Sequence, residues 1–212
     1  MSQPFDRAAC IPAPKEADKR LKDWWVENPW QINIQGKSLS GYERNRLLLN
    51  SKGETFYDVS ALTAADSEGD GRSVVAVDFT GDGMEDLLVR QAGGGPLLLF
   101  ENRFPKTHWL RVSLRGTKSN RLGIGARLVA KVGGQQIVRE LYPVNGFKAQ
   151  GPAHVHLGLG NATKVDQLTV VWPSGLQQEF ADLASDRAIL LTEGSSQVLP
   201  GISPSPQRAQ AK

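Results

Sequence analysis

Short apolar runs, rather than long amphipathic stretches, fill the centre of this sequence. Many of them alternate apolar and polar residues, and Gly, Pro, Asn or Asp separates them about every ten residues. This pattern predicts an all-β fold of short strands. Two adjacent glycines, Gly133 and Gly134, stand between two of the runs and predict a tight hairpin turn with positive φ. The predicted strands are residues 46–50, 55–60, 73–79, 86–90, 96–101, 108–115, 126–132, 136–142, 154–159, 165–172 and 188–192.

Composition excludes several classes of protein. Hydrophobic residues make up 40% of the 212 positions, which is enough for a packed core, and the single cysteine, Cys10, excludes an intrachain disulfide or a Cys-ligated zinc site. The apolar run PLLLF at residues 96–100 is far shorter than the roughly 20 residues that cross a bilayer, so we predict no membrane span. The net charge is +3, and the basic residues are scattered singly, which argues against nucleic-acid binding.

The composition also changes along the chain. We predict a flexible N-terminus over residues 1–22, a first β region over residues 23–103, a second β domain over residues 104–195 and a disordered tail over residues 196–212. A Pro-containing link near residues 104–107 sets the central boundary. The first 20 residues contain no apolar stretch of the kind that a secretory signal requires, so no signal peptide is predicted.

Residues 78–86, with the sequence DFTGDGMED, form the most chemically specific segment. Carboxylates stand at positions 1, 5 and 9 of this segment, a hydroxyl at position 3 and glycines at positions 4 and 6, so oxygen atoms can converge in a tight loop. An EF-hand needs Glu at position 12, where this chain has Val89, and the flanks read as strands. We therefore predict a calcium site in a β-hairpin; the alternative is an Asp/Gly turn without metal. The predicted ligands are the side chains of Asp78, Thr80, Asp82 and Asp86 and the backbone carbonyl of Met84.

Other candidate sites are less specific. His154 and His156 would share one face of a strand, but no third ligand stands close in sequence, so a metal there is not favoured. Ser174 lies in PSG rather than in the Gly-x-Ser-x-Gly motif of a nucleophilic serine. A glycosidase needs two flanking carboxylates, and no such pair is recognisable after residue 116. We predict no catalytic residue, no cofactor other than calcium and no enzyme activity.

Two groups of motifs then resemble known families. The runs FYDVS at 56–60, DGR at 70–72, the 78–86 loop and LFEN at 99–102 resemble one FG-GAP/VCBS repeat, with a lead-in over residues 38–47. The later chain resembles the ASPIC/UnbV domain through HWL at 108–110, SNR at 119–121, GIGAR at 123–127, GF at 146–147, HLGLG at 156–160 and WPSG at 172–175. Together the resemblance covers residues 38–194 and indicates the cartilage acidic protein 1 group.

The resemblance implies a fold and a function. The expected fold is one partial β-propeller blade of FG-GAP/VCBS type followed by an ASPIC/UnbV β-sandwich-like domain. The expected function is a non-catalytic, calcium-binding interaction module of extracellular or periplasmic type, with a protein or a glycan as its partner. The alternative is a calcium-dependent carbohydrate-binding protein or an accessory hydrolase component.

This sequence departs from the pattern in two places. Thr80 stands where such repeats usually carry Asp or Asn, which predicts weak calcium binding. One complete Asp-rich loop is present, whereas a closed propeller takes at least about four blades. We therefore expect uncovered β-edges that either self-associate or dock against missing propeller blades.

Overall fold

The regular secondary structure is entirely β within the residues that the computed structural model describes, which are 3–4, 37–38, 44–51, 53–67, 69, 71–91, 96–144 and 146–202. The all-β prediction is confirmed. The strands are β1 (Gln3–Pro4), β2 (Lys37–Ser38), β3 (Leu48–Ser51), β4 (Thr55–Asp58), β5 (Gly71–Val77), β6 (Asp86–Gln91), β7 (Leu97–Phe100), β8 (His108–Arg115), β9 (Arg127–Val132), β10 (Gln135–Glu140), β11 (His154–Gly160), β12 (Lys164–Val171), β13 (Gln177–Ala184), β14 (Arg187–Thr192) and β15 (Val198–Pro200).

The strands assemble into five sheets. Three of them are small: the pairs β1-β2 and β3-β4, and a three-stranded sheet in the order β5-β6-β7. The other two have four strands each, in the orders β10-β9-β12-β13 and β11-β8-β14-β15. Neighbouring strands are antiparallel in these two larger sheets except β14 and β8, which run parallel.

By its contacts the chain divides into two units. The first comprises Met1–Val74 and Leu88–Phe100, and the second comprises Val75–Leu87 and Glu101–Lys212. The return to the second unit at Glu101 lies close to the predicted boundary. The acidic loop, however, was predicted to belong to the first β region, and it groups with the second unit instead. The physical reason is a buried ion pair to β8, which is described below.

The first unit contains the β3-β4 hairpin, in which Leu48 is opposite Asp58 and Ser51 is opposite Thr55. The fully buried Ser60 connects the two ends of this hairpin. Its hydroxyl accepts a hydrogen bond from the Leu47 backbone N–H and donates one to Asp58. Several large apolar side chains of this unit are exposed, including Leu48, Phe56 and Tyr57.

The second unit is a β-sandwich whose core lies between its two four-stranded sheets. Alternate residues point inward, as the period of two of a strand requires. On β8 these are Leu110, Val112 and Leu114, and they meet side chains from both sheets. The buried core also contains Leu128, Ala130, Val155, Leu157, Val165, Leu168, Val170, Trp172, Phe180, Leu183, Ile189 and Leu191.

The predicted strands match observed ones to within about two residues, but the four strands β1, β2, β13 and β15 were not predicted. Strand β13 was not predicted, because half of Gln177–Ala184 is polar and the segment buries only two large apolar side chains, Phe180 and Leu183. Strand β15 lies inside the predicted disordered tail, because Val198–Pro200 pairs with the edge of β14. The predicted hairpin is confirmed: Gly133 and Gly134 have φ values of 53° and 80° between β9 and β10.

Some predictions concern residues outside the described part of the chain. Cys10, most of the predicted flexible N-terminus and residues 203–212 of the predicted tail fall there. Within the described part, no helix is long and apolar enough to cross a bilayer.

Candidate functional site

The acidic loop connects the end of β5 to the start of β6. Its chain reverses through two glycines with left-handed backbone conformations, Gly81 at φ 76° and Gly83 at φ 90°. Glycine is needed at Gly83 for a second reason, because a Cβ atom there would lie 1.8 Å from Nε1 of Trp109. The loop therefore packs directly against the first residues of β8.

Asp78 is the centre of the loop. Its Oδ1 accepts hydrogen bonds from the backbone N–H groups of Gly81 at 2.7 Å and Asp82 at 3.0 Å. Its Oδ2 accepts one from Gly83 N–H at 3.1 Å and one from Nη2 of Arg111 at 2.6 Å. Both charged side chains of this ion pair are buried, Arg111 with 3% and Asp78 with 2% of the side chain exposed.

Asp86 holds the other end of the loop. This buried carboxylate accepts the backbone N–H groups of Phe79 at 3.0 Å and Thr80 at 3.1 Å on one oxygen, and that of Asn102 at 2.8 Å on the other. Asp82, in contrast, is exposed, and it accepts hydrogen bonds from the Met84 N–H and the Thr80 hydroxyl. Lys106 lies 3.5 Å from its second oxygen.

These contacts bear on the predicted calcium site. A carboxylate offers about four lone-pair positions, and four N–H donors already face Asp78. Three more face Asp86. In the described residues no group of three or more His, Cys, Asp or Glu side chains is arranged to hold a metal ion. The donor set of the loop thus fits a calcium ion poorly, and calcium binding stays a prediction from the sequence.

A polar cavity of about 190 Å³ lies beside the loop in the second unit. Burial, with a further contribution from the nearby positive charge of Arg111, lowers the pKa of both His154 and His156 to about 4, so both rings are neutral at pH 7. Burial also raises the pKa of Glu85. Nδ1 of His156 is buried without a hydrogen-bond partner. The polar lining consists of Glu85, Arg139, Glu140, Tyr142, His154 and His156.

A second, larger cavity of about 420 Å³ contains an aspartate–histidine pair. Nδ1 of His108 lies 2.6 Å from Oδ2 of Asp186, and the Ser185 hydroxyl donates to the same carboxylate oxygen at 2.9 Å. The parallel pairing of β14 with β8 places Asp186, just before β14, beside the start of β8. Asp186 adopts φ 59°, a backbone conformation that costs free energy in a non-glycine residue.

This pair is not a serine-hydrolase triad. In such a triad the nucleophile bonds the ring nitrogen opposite to the one held by the carboxylate. Here Ser185 approaches Nδ1 of His108 at 3.4 Å, which is the nitrogen that Asp186 already contacts. Burial acts to raise the pKa of Asp186, but the hydrogen bonds from His108 and Ser185 outweigh it and lower that pKa. The pair therefore connects the start of β8 to the β13-β14 turn.

Glu193, just after β14, organises the loops at the opposite end of the same strands. One of its oxygens accepts the backbone N–H groups of Thr117, Lys118 and Ser119 at 2.7–2.8 Å. The other accepts the hydroxyl groups of Ser119 and Ser174. Ser174, the candidate nucleophile that the sequence did not favour, is thus a donor to a buried carboxylate.

We expect Glu193→Gln to lower the melting temperature and to reduce its dependence on acid pH. Burial acts to raise the pKa of Glu193, but its N–H and O–H donors hold that pKa well below the usual 4.5. The ionised form therefore stabilises the fold above about pH 4.5, and this stabilisation is lost as the pH falls below that value. Thermal melts at pH 7 and at pH 3.5 should show a larger difference for the native chain than for the variant. An equal difference in both proteins would contradict this role.

Some of these residues are predictable from the sequence and others are not. The predicted ligands Asp78, Thr80, Asp82, Met84 and Asp86 all lie in the 78–86 loop, and their binding of calcium stays a prediction. Arg111, Asp186 and Glu193 were missed, because each acts through a partner between 33 and 78 positions away in sequence. The sequence contains no signal for Arg111, since a charged residue between Leu110 and Val112 is also what an alternating strand with one solvent-facing side carries.

Comparisons with known proteins match both parts of the chain. Residues 38–89 match the model of the FG-GAP-like repeat, and residues 116–198 match the model of the ASPIC and UnbV family. The HWL and LFEN motifs lie outside these two ranges.

Curated relatives carry the name cartilage acidic protein 1. The mouse protein (Mus musculus) is 30% identical over 149 residues, which cover 68% of this chain and 23% of the relative. The human protein (Homo sapiens) is also 30% identical, with 68% and 22% covered. The Xenopus tropicalis protein is 32% identical over 117 residues, or 53% of this chain and 18% of the relative. The chain spans less than a quarter of the length of the curated relatives it matches. The chain thus carries an FG-GAP-like repeat followed by an ASPIC/UnbV domain, and it is similar to cartilage acidic protein 1.

Proposed function

We propose that this chain is a non-catalytic interaction module of an extracellular or periplasmic protein. Its FG-GAP-like repeat and ASPIC/UnbV domain, together with its similarity to cartilage acidic protein 1, support a role in binding rather than in turnover. In this proposal the FG-GAP-like repeat is part of a propeller blade. The calcium requirement that the sequence predicts is a separate question, which the same experiments address.

The observation that carries the proposal is the polar cavity beside the acidic loop. Its neutral histidines, His154 and His156, can each donate one hydrogen bond and accept another. Arg139 adds further donors, and Glu85 and Glu140 add acceptors, so the lining suits a ligand rich in hydroxyl groups. A volume of about 190 Å³ is below the roughly 300–1,000 Å³ of typical small-molecule pockets. The cavity therefore suits a group of the size of one sugar ring, and we propose a glycan as the partner.

The test is binding to a glycan array in calcium and in EDTA, followed by titration calorimetry with the strongest binder. We expect Arg139→Ala to weaken binding about tenfold, because it removes charged donors from the ligand-contacting lining. Arg127→Ala is the matched control, since this exposed arginine lies on β9, which pairs with β10, and does not line the cavity.

The outcomes separate the possibilities. Binding that Arg139→Ala weakens and Arg127→Ala leaves unchanged supports the cavity as the glycan site. Equal affinity of all three proteins places the ligand elsewhere, and an array without any binder rejects a glycan as the partner. Release of a reducing sugar from a bound glycan would reject the non-catalytic proposal itself.

A further inference from the structure

We infer that Arg111 supplies internally the positive charge that a calcium ion would supply to a loop of this composition, so that the acidic loop folds without metal. The inference rests on the burial of the Arg111 guanidinium against Asp78, on the hydrogen bonds that occupy the loop carboxylates, and on the packing that fixes the arginine. It concerns the loop alone and is independent of the glycan partner proposed above.

The alternation of β8 explains why an arginine is buried there. Leu110 and Val112 point into the sandwich core, so Arg111 between them points to the other face of its sheet. On that face it is opposite His156 of β11. With 3% of its side chain exposed, Arg111 has no access to bulk water, and a buried cation needs a paired anion. Asp78, with 2% exposed, is that anion at 2.6 Å.

The hydrogen bonds of the loop oppose replacement of Arg111 by a metal ion. Calcium binds to oxygen lone pairs, usually six to eight of them. The guanidinium and three backbone N–H groups already donate to the carboxylate oxygens of Asp78. Three further N–H groups donate to the carboxylate oxygens of Asp86. To bind a divalent ion at these two residues, the loop would have to break N–H hydrogen bonds that are partly buried, and that of Gly83, which is buried. Such donors are costly to leave without a partner.

Packing also holds the arginine in place. Its Cζ atom lies 5.3 Å from the ring centroid of Trp109, within the range of a cation–π contact. The same ring fills the space above Gly83, whose N–H donates to Asp78. Arg111 and Gly83 thus contact Asp78 directly, and Trp109 packs against both of them. This arrangement explains why the Val75–Leu87 segment groups with the second unit.

The test is the thermal stability of the full chain after treatment with EDTA and removal of the chelator. We expect the melting temperature to be the same, within about 1 °C, in 5 mM calcium, in 5 mM magnesium and in EDTA, because the loop is complete without metal. A calcium site near saturation would instead raise it by about 5–10 °C. A rise of that size in calcium, and not in magnesium, would overturn the inference without any variant.

Two substitutions test the arginine itself. Arg111→Gln should lower the melting temperature by about 10 °C, because it leaves Asp78 as a buried charge without a counter-ion. Lys106→Gln removes the exposed cation beside Asp82 and should change the melting temperature by less than about 2 °C. A calcium response that is present in Arg111→Gln and absent from the native chain supports the inference. Equal melting temperatures of the two variants would overturn it.

Arg111→Lys covers the case in which Arg111→Gln does not fold. Lysine keeps the positive charge but lacks the planar guanidinium. If Arg111→Lys folds and Arg111→Gln does not, the loss of stability is due to the missing positive charge, as inferred. If neither variant folds, the calcium, magnesium and EDTA melts of the native chain decide the question alone.

Discussion

Replacement of Gly83 by alanine is expected to lower the free energy of unfolding by about 3–5 kcal/mol. Two effects add. The residue has φ 90°, which is strained for any residue with a Cβ atom, and the new Cβ would overlap Nε1 of Trp109 at 1.8 Å. The indole cannot move freely, because it lies against the Arg111 guanidinium and stacks on His156. Urea unfolding followed by tryptophan fluorescence measures the loss.

Gly134→Ala is the matched control for this prediction. Gly134 also has a left-handed backbone, with φ 80°, but a Cβ there would meet nothing within 4 Å. The control variant therefore has the backbone strain without the overlap, and it should lower the free energy of unfolding by about 1 kcal/mol. Equal losses in the two variants would show that the packing of the loop on Trp109 contributes nothing.

The second large effect is expected for Asp86→Asn, which should lower the free energy of unfolding by about 3 kcal/mol. The buried carboxylate accepts three backbone N–H groups on its two oxygens. An asparagine has one carbonyl oxygen, so its NH₂ group would face N–H donors wherever it is placed. The Phe79, Thr80 and Asn102 backbones would then lose part of their hydrogen bonding.

Asp182→Asn is the control for that substitution. Asp182 is exposed, with 73% of its side chain accessible, and its partner is the solvent-exposed Lys164. We expect this variant to unfold at nearly the same urea concentration as the native chain. If Asp86→Asn is as stable as Asp182→Asn, the loop hydrogen bonds do not hold the second unit together.

Most of the fold was predictable, because most of its strands are visible as short apolar or alternating runs in the local sequence. Strand β8, for example, alternates apolar and polar residues from Leu110 to Arg115, and its bounds were predicted without error. Strand β13 gave no such signal, because the two large apolar residues of Gln177–Ala184, Phe180 and Leu183, are three positions apart and so do not alternate. It is a strand because β12 and the sandwich core require a neighbour there, which is a tertiary effect.

The site was predictable only as a list of residues. The 78–86 sequence shows which oxygens are near one another, but it cannot show what faces them. Arg111 lies 33 positions after Asp78, and Glu193 lies 76 positions after Thr117. The local sequence does not distinguish an aspartate that binds a metal ion from an aspartate that is paired with an arginine guanidinium. For the same reason the sequence could not show that the loop pairs with β8. A fragment that begins at residue 104 would leave Arg111 buried without its anion.

The parallel pairing of β14 with β8 has a consequence for how the chain folds. Contacts such as that between His108 and Asp186 join residues 78 positions apart, so the central pair of this sheet closes a long loop before it gains any stability. Folds dominated by such distant pairings fold slowly, in milliseconds to seconds. During synthesis β8 and β11 emerge long before β14, and until it arrives β8 keeps one edge open to other chains. The interval between the synthesis of β8 and β14 is therefore when this protein is most exposed to aggregation.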